Sequence, residues 1–560
     1  MAWPYRFVDL DADAKALRRE ALDRYALYSQ LSVLLPVVAV LARRVARRAF
    51  ASSSSSLASS SSDYSAVPDS PQLKSRRSSH RGERGVWVLG GAWAAWLLLL
   101  CFLGTGDDYL HVTKRFGIVA AAQLPVQYML SLKYLNPFAY AFRTSHEEVN
   151  RWHRALGRII YMLLLLHVVL YVNYLAQVGA LSRRIFAPIV FAGVASWAGL
   201  NLLMATALPA VRRFSYRVFF VTHLLVSFAV PVLIFFHAPP MRVSMCVALA
   251  SLLADITVRR LTTMTGRAVM EAIPGTDLVK VTVAIPPGRS NAFRQHPGSH
   301  VYVSIPEAAR PDLTSTSSLL YEFLFNPFTV ADVDDATGDL TLVARRRSGP
   351  MTAALARFAK SSPGSAASAP PTPSTAASRH ANYDETRIPL FIEGPYGAAR
   401  HFPNLAGPGF DRVLLVAGGV GATFAVPLYR AIRHDNPSAK VELVWALRGA
   451  GDATWAVLQQ EQQLQQQQQR DEDEDDEDKG PVSILADENV HLFLTGPLLG
   501  GDSGSNLAFS HTIKHNGVAW PTAWGDVGIG ADPATSHLVP GTVKDRTRQV
   551  LRNLGAVKIN

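Results

Sequence analysis

The strongest constraint on this chain is where charge is missing: before about residue 260, long stretches carry almost none. A helix crosses a bilayer with roughly 20 mostly apolar residues, because each backbone amide must find its partner inside the segment. Six stretches reach or approach that length, 26–42, 86–104, 116–132, 156–176, 185–208 and 216–238, and a seventh, 243–258, is interrupted by Asp255. These runs predict a polytopic α-helical membrane domain of 6–7 spans, in an integral multi-pass protein whose first partner is the lipid bilayer. The densest basic cluster, Arg43, Arg44, Arg47 and Arg48, sits directly beside one apolar run. Such placement follows the positive-inside rule. The net charge of +11 therefore reads as membrane topology, and no nucleic-acid partner is expected.

With the later half of the chain in the cytosol, seven spans put Arg259, Arg260, Arg212, Arg213, Arg151, Arg154, Arg158 and the loop 43–85 on the inner side. The N-terminus then lies on the far side, and Lys114, Arg115, Arg183 and Arg184 break the rule. The two cysteines, Cys101 and Cys246, both lie in apolar runs, so no structural disulfide is expected and cysteine usage does not report the compartment. The first apolar run follows a charged stretch and begins near residue 26, which does not match a cleavable signal peptide. Three low-complexity stretches read as insertions without a packed core: the serine run near 52–62, a Ser/Pro/Ala segment at 361–378, and a Gln-rich then acidic run at 459–478.

Inside the apolar runs the histidines repeat. His153 and His167 are 14 residues apart in one run, and His223 and His237 are 14 apart in another. On an α-helix that separation is about 3.9 turns and about 21 Å of rise, so both members of a pair share one face at two depths. One further span lies between the two helices, which therefore run in the same direction, with His153 level with His223 and His167 level with His237. A lone histidine at a membrane boundary is an ordinary interfacial residue. Two equal pairs on parallel helices are better explained by two stacked haems, each gripped by two imidazoles, an arrangement that favours electron transfer over oxygen binding at iron. Ser145 and Glu148 have capping-box spacing just upstream. Arg151, Arg154 and Arg158 read equally as haem propionate contacts and as inner-side topology charges.

After residue 262 the pattern changes to short β-rich runs, Leu278–Ile285, His300–Ile305 and Leu340–Ala344. Three motifs follow in order: His296-Pro-Gly-Ser-His300, Asn326-Pro-Phe-Thr-Val330, and Arg347-Ser-Gly-Pro-Met-Thr352. The last leads into an expected helix over 352–359, whose N-terminal amides suit a pyrophosphate. Glu393-Gly-Pro-Tyr-Gly397 comes next. Then a buried strand from Val413 enters the loop Gly418, Gly419, Gly421 and Thr423 and a helix to about His434, a strand–loop–helix pattern that lets a nucleotide phosphate approach the backbone closely. A second strand, Val441–Ala446, is followed by Arg448, which reads as a ribose-phosphate contact or as a surface arginine.

Taken together, these residues resemble the ferric reductase and NADPH oxidase superfamily, and among its members the fungal transmembrane metalloreductases, over roughly 86–500. The resemblance implies that His153, His167, His223 and His237 carry two b-type haems. His296 and His300 match the family's His-Pro-Gly-Gln-His motif with Ser299 in place of Gln, and 326–330 match its flavin motif with Asn326 in place of His or Arg. It further implies that Pro327, Phe328, Thr329 and Val330 line FAD, that Gly349 and Thr352 meet the FAD pyrophosphate, and that Gly394, Pro395, Gly397, Gly418, Gly419, Gly421, Thr423 and Arg448 serve NADPH. The family's late Cys-Gly-Pro motif is missing; no cysteine follows Cys246, and Thr495-Gly-Pro497 is only an echo of it.

The implied fold is a multi-domain chain: a membrane helical domain, a β-barrel FAD-binding domain and an α/β nucleotide-binding domain. The expected divisions are 1–85 (first span and basic Ser-rich loop), 86–261 (di-haem domain), 262–405 (FAD barrel) and 406–560 (NAD(P) domain, insert 459–480). The implied activity is an oxidoreductase passing electrons from NADPH through FAD and two haems to Fe(III) or Cu(II) chelates. A superoxide-generating oxidase with O₂ as acceptor, a non-catalytic haem protein and a transporter are the competing readings.

Overall fold

The computed structural model describes residues 5–57, 78–310, 325–334, 337–347, 349–361, 387–397, 405, 410–456, 484 and 487–494, with the side chains of 47–83 excluded. The stretches 362–378 and 459–478 and the Thr495–Pro497 echo lie outside these residues. The chain divides into two compact units, Met1–Leu261 and Thr262–Asn560.

The first unit is all helical: α1 (Ala12–Leu31), α2 (Leu34–Leu57), α3 (Ser78–Phe102), α4 (Tyr109–Ala122), α5 (Leu124–Met129), α6 (Pro137–Phe142), α7 (His146–Gln177), α8 (Leu181–Arg184), α9 (Pro188–Thr206), α10 (Pro209–Phe214), α11 (Tyr216–His237) and α12 (Arg242–Thr262). Among the described residues six segments are long and apolar enough to cross a membrane: Ala12–Ala46, Arg84–Phe102, His146–Gln177, Pro188–Thr206, Tyr216–His237 and Pro239–Thr262. Large apolar side chains such as Leu35, Trp87, Phe191, Leu225 and Val243 are exposed on these helices. On a membrane protein that is the expected lipid-facing surface, since there is no water to hide them from.

Three expectations need correction. The run 116–132 is not one continuous helix. It breaks at Gln123 into α4 and α5, with Pro125 in the first turn of α5, where its missing N–H costs nothing. Helix α4 is the centre of the bundle, with Val112, Phe116, Val119, Ala120 and Ala122 essentially fully buried. The serine run is not wholly an insertion either, because α2 continues to Leu57; propagating an existing helix is easier than starting one. Finally, Arg115 is no loop charge breaking a topology rule. It is fully buried, stacked over the Tyr25 ring at 3.7 Å, bonded to His111 Nε2 at 2.8 Å and donating to the carbonyls of Leu100 and Leu103.

Two further polar features sit inside the bundle for identifiable reasons. Pro231 lies within α11, so the Ser227 carbonyl one turn earlier loses its helical donor; the Tyr128 hydroxyl donates to it instead. Asp255, the residue that weakened the seventh run, is buried and accepts from the backbone N–H groups of Tyr134 and Leu135, both at 2.8 Å. It thereby holds the turn before α6 onto α12. Asp255→Ala should destabilise the membrane unit by about 2 kcal/mol, the typical cost of stranding hydrogen-bonded partners of a charged group. Asp255→Asn, which keeps an acceptor, should cost less, as read by thermal unfolding in detergent.

The second unit begins with β1 (Met264–Ala272), β2 (Leu278–Ala284), α13 (Pro287–Arg294), β3 (His300–Ser304), β4 (Asn326–Val333), β5 (Leu340–Arg345), α14 (Pro350–Ser361) and β6 (Ile388–Tyr396). The six strands close into an antiparallel barrel in the order β1-β2-β5-β4-β3-β6. Val281, Val283, Val301, Val303, Leu342 and Ile392 fill its core, and the apolar face of α14, with Met351 and Leu355, joins them. After the barrel, β7 (Arg412–Gly418), α15 (Ala422–Asp435), β8 (Lys440–Leu447) and β9 (Val490–Leu494) form a parallel three-stranded sheet, β7-β8-β9, with one helix packed on it. Asp487 ties β9 to α15, accepting from the Tyr429 hydroxyl at 2.7 Å and from Arg433. Burial pushes that carboxyl up, but the Tyr429, Asn489 and Arg433 donors outweigh it and hold it below the usual range.

Candidate functional site

The four membrane histidines meet as two pairs. His153 faces His223 with ring centroids 6.2 Å apart, and His167 faces His237 at 6.4 Å. With metal–imidazole bonds of roughly 2 Å, two rings clasping one iron from opposite sides have centroids roughly 6 Å apart. Among the described residues no three His, Cys, Asp or Glu side chains converge. Two imidazoles per site would suit a haem, and do not suit a bare structural metal ion.

The ring orientations support this. His153 Nδ1 meets the Gln127 carbonyl at 2.9 Å, His167 Nδ1 the Thr113 carbonyl at 2.8 Å, and His237 Nδ1 the Ile189 carbonyl at 2.7 Å. A carbonyl only accepts, so each Nδ1 carries the proton and each Nε2 keeps its lone pair, the form a metal ligand requires. Local sequence builds the scaffold. Ser145 caps α7 by accepting from the Glu148 amide, whereas Glu148 pairs with Arg151, so half of the expected capping box is present. Gln127 also reaches His153 Nε2 at 3.3 Å, and its own Oε1 is buried with no partner among the described residues. The fourth ring differs, because His223 Nδ1 is buried with no partner among the described residues. Continuing the antiparallel register from Ile189 opposite His237 puts Leu203 opposite His223, and the Thr206 hydroxyl already donates to that carbonyl.

In the second unit, three of the sequence motifs converge on neighbouring strands. His300 pairs with Thr329 on one side and Tyr396 on the other, while Pro327 and Phe328 pair with Tyr302 and Val301. The His296-to-Ser299 turn places Gly298 at φ +77°, a conformation that favours glycine. Ser299 accepts from the Val330 amide at 2.9 Å, and a Cβ on Gly397 would lie 3.8 Å from Ser299 Cα. The Ser299 hydroxyl is buried with no partner among the described residues. An orphaned hydroxyl where three motifs meet, beside half-exposed Phe328 and Thr329, fits a flavin with polar edges. Gly394 and Gly397, at φ +149° and +126°, carry the chain past His300, and Gly394–Pro395 is cis.

Several site residues do other work. Val330 lies in the barrel core. The Thr352 hydroxyl bridges the Arg347 amide and the Arg347 and Gly349 carbonyls, at 3.1 to 3.3 Å, so it pins the loop entering α14. The Thr423 hydroxyl caps its own turn through the Val420 carbonyl at 2.8 Å. Gly418, Gly419 and Gly421 sit at the carboxyl end of β7 and lead directly into α15, and exposed Arg448 follows the same end of β8. That edge is where parallel α/β sheets take ligands.

Sequence reading missed the parts that join these pieces. Phe424 of α15 packs on Gly298, 2.8 Å from where a Cβ would stand, bringing the glycine loop against the flavin-motif turn. Arg345 pairs with Asp452 at 3.0 Å and approaches Gly419, and Arg430 pairs with Asp332 at 3.2 Å. Such long-range pairs leave no local signal. Gly117 and Gly193 did leave one: a glycine amid an apolar helical run.

Residues 116–234 match the family model of the ferric reductase like transmembrane component, and 264–400 match the FAD-binding domain model. A probable metalloreductase of Scheffersomyces stipitis is 24% identical over 369 residues, covering 64% of this chain and 61% of that protein. The ferric/cupric reductase transmembrane component 2 of Schizosaccharomyces pombe is 27% identical over 369 residues, covering 60% and 61%. A probable ferric reductase transmembrane component of Eremothecium gossypii is 26% identical over 385 residues, covering 64% and 51%. The chain thus spans between half and two thirds of the length of these relatives. Both family matches end before residue 401 and so do not reach the β7-β8-β9 sheet.

The ring pairing makes a spectroscopic prediction. Purified protein should show a low-spin b-type reduced-minus-oxidised spectrum, and His167→Ala and His237→Ala should each remove about half of it by taking away one of two bis-imidazole sites.

Proposed function

Taking the chain as a member of the ferric reductase superfamily with an FAD-binding domain, we propose that it is an NADPH-dependent ferric-chelate reductase that carries electrons across a membrane. The observation that carries this reading is the pairing of four imidazoles into two sites 14 residues apart along α7 and α11. When bound, FAD takes a two-electron hydride from a nicotinamide nucleotide and releases single electrons, and haem iron relays them one at a time.

The chain's own residues supply position and polarity. The backbone carbonyls of Thr113, Gln127 and Ile189 fix the imidazole tautomers. The strands β3, β4 and β6 hold His300, Phe328, Thr329 and Tyr396 side by side, so that Ser299, Phe328 and Thr329 receive the flavin. The Gly418-to-Gly421 loop offers backbone N–H groups to the nucleotide phosphates, and Arg448 offers a cation to the ribose phosphate. Outward flow from a negative interior is favourable by about 2.3 kcal/mol per 100 mV for each electron. The acceptor is an Fe(III) or Cu(II) chelate at the His167/His237 end of the bundle.

The decisive assay is NADPH-driven reduction by purified protein in lipid. Chelated Fe(III) should be reduced at a rate insensitive to superoxide dismutase, and His167→Ala or His237→Ala should bring it to background. Dismutase-sensitive cytochrome c reduction in its place would make O₂ the acceptor, and failure of NADPH to bleach the flavin anaerobically would remove the enzyme reading altogether. Arg448→Ala should raise the apparent KM for NADPH by about tenfold, the worth of one charge-assisted contact, and leave that for NADH unchanged. Equal effects on both nucleotides would return Arg448 to the surface.

A further inference from the structure

Glycine within a helix costs about 1 kcal/mol relative to alanine, so a glycine in the middle of a buried or lipid-facing helix calls for a reason. Two such glycines stand in matching places. Gly117 on α4 lies four residues after Thr113, whose carbonyl receives His167 Nδ1. Gly193 on α9 lies four residues after Ile189, whose carbonyl receives His237 Nδ1. In an α-helix the carbonyl of one residue points along the axis toward the residue four later, so a side chain there covers the approach to that carbonyl. A Cβ at position 117 would stand 2.9 Å from both Cε1 and Nδ1 of His167, and one at 193 would stand 2.5 Å from Cε1 and 2.6 Å from Nδ1 of His237. Neither separation is tolerable for a carbon, and the crowded group is a ring held at both ends, by its backbone and by its hydrogen bond.

Gly199, also on α9, behaves differently. Its Cβ would meet only Val226 and Val230 methyl groups at 3.4 and 3.5 Å, a contact near the ordinary van der Waals range. The His153/His223 pair has no such seat either. Four residues after Gln127 stands Ser131, and four after Leu203 stands Ala207.

We infer that Gly117 and Gly193 are positioning residues that seat the His167/His237 pair: by lacking a side chain, each lets an imidazole lie against the neighbouring helix, lock its Nδ1 proton on a carbonyl and turn Nε2 toward a shared iron. The haem half of this statement rests on the proposed function; the steric half does not. The two sites are therefore unequal, one with both rings anchored through glycine seats and the other with His223 unanchored.

The test is a double-variant cycle with a spectrum. Gly117→Ala and Gly193→Ala should each remove or convert to high spin about half of the bis-imidazole haem signal, leaving the other half intact, while Gly199→Ala keeps all of it. Gly193→Ala should also lower the thermal midpoint of the detergent-solubilised protein in the wild-type background but not in a His237→Ala background, because the clash needs the ring; Gly117→Ala should behave likewise with His167→Ala. If either alanine variant folds too poorly for spectroscopy, the double variant still reports through its midpoint. Equal destabilisation with and without the histidine, or two unperturbed haems in both alanine variants, would overturn the inference. A wild-type protein that binds no haem while the histidine-dependent coupling persists overturns the haem reading and leaves the seats standing.

Discussion

The contact on which the membrane unit depends is an imidazole Nδ1–H donated to a main-chain carbonyl of the adjacent antiparallel helix. Among the described residues it occurs three times, from His153, His167 and His237. Each instance satisfies a polar ring atom within the bundle, fixes the tautomer and sets the ring plane. The acceptors Thr113 and Gln127 are themselves 14 residues apart, the same interval as the histidines that use them. Antiparallel packing of α4 and α5 on α7 thus copies one spacing onto the other.

The remaining buried polar groups of the bundle follow the same logic. Asp255 answers backbone amides of a turn, Tyr128 answers the carbonyl released by Pro231, and Arg115 answers two carbonyls near the end of α3. Each looks anomalous in a hydropathy profile and is ordinary once its partner is known. The charge that weakened a predicted span and the charge that broke a topology rule were both internal fasteners.

In the soluble unit the motifs are separated by tens of residues yet end as neighbours, because barrel closure puts β3 between β4 and β6. The turn before β3 then serves two faces. Its Ser299 carbonyl binds the Val330 amide of β4, and its Gly298 receives Phe424 from the helix that follows the glycine loop. The result is a flavin-motif edge and a phosphate-type loop brought against one another by a single small residue. The ion pairs Arg345–Asp452 and Arg430–Asp332 reinforce that junction.

The sequence by itself determined the class of the molecule and the matched spacing of its membrane histidines. Apolar run length and the equal histidine intervals are one-dimensional consequences of helix rise and bilayer thickness, so they are readable without any fold. The glycine loop after a buried strand was legible for a similar reason, since strand, loop and helix are contiguous. Only the tertiary structure decided which apolar run was a broken central helix, that Val330, Thr352 and Thr423 turn to structural work, and that His223 lacks the acceptor its three counterparts have. Those outcomes depend on what lies across from a residue, and opposition between distant segments is set by packing, which no local pattern encodes.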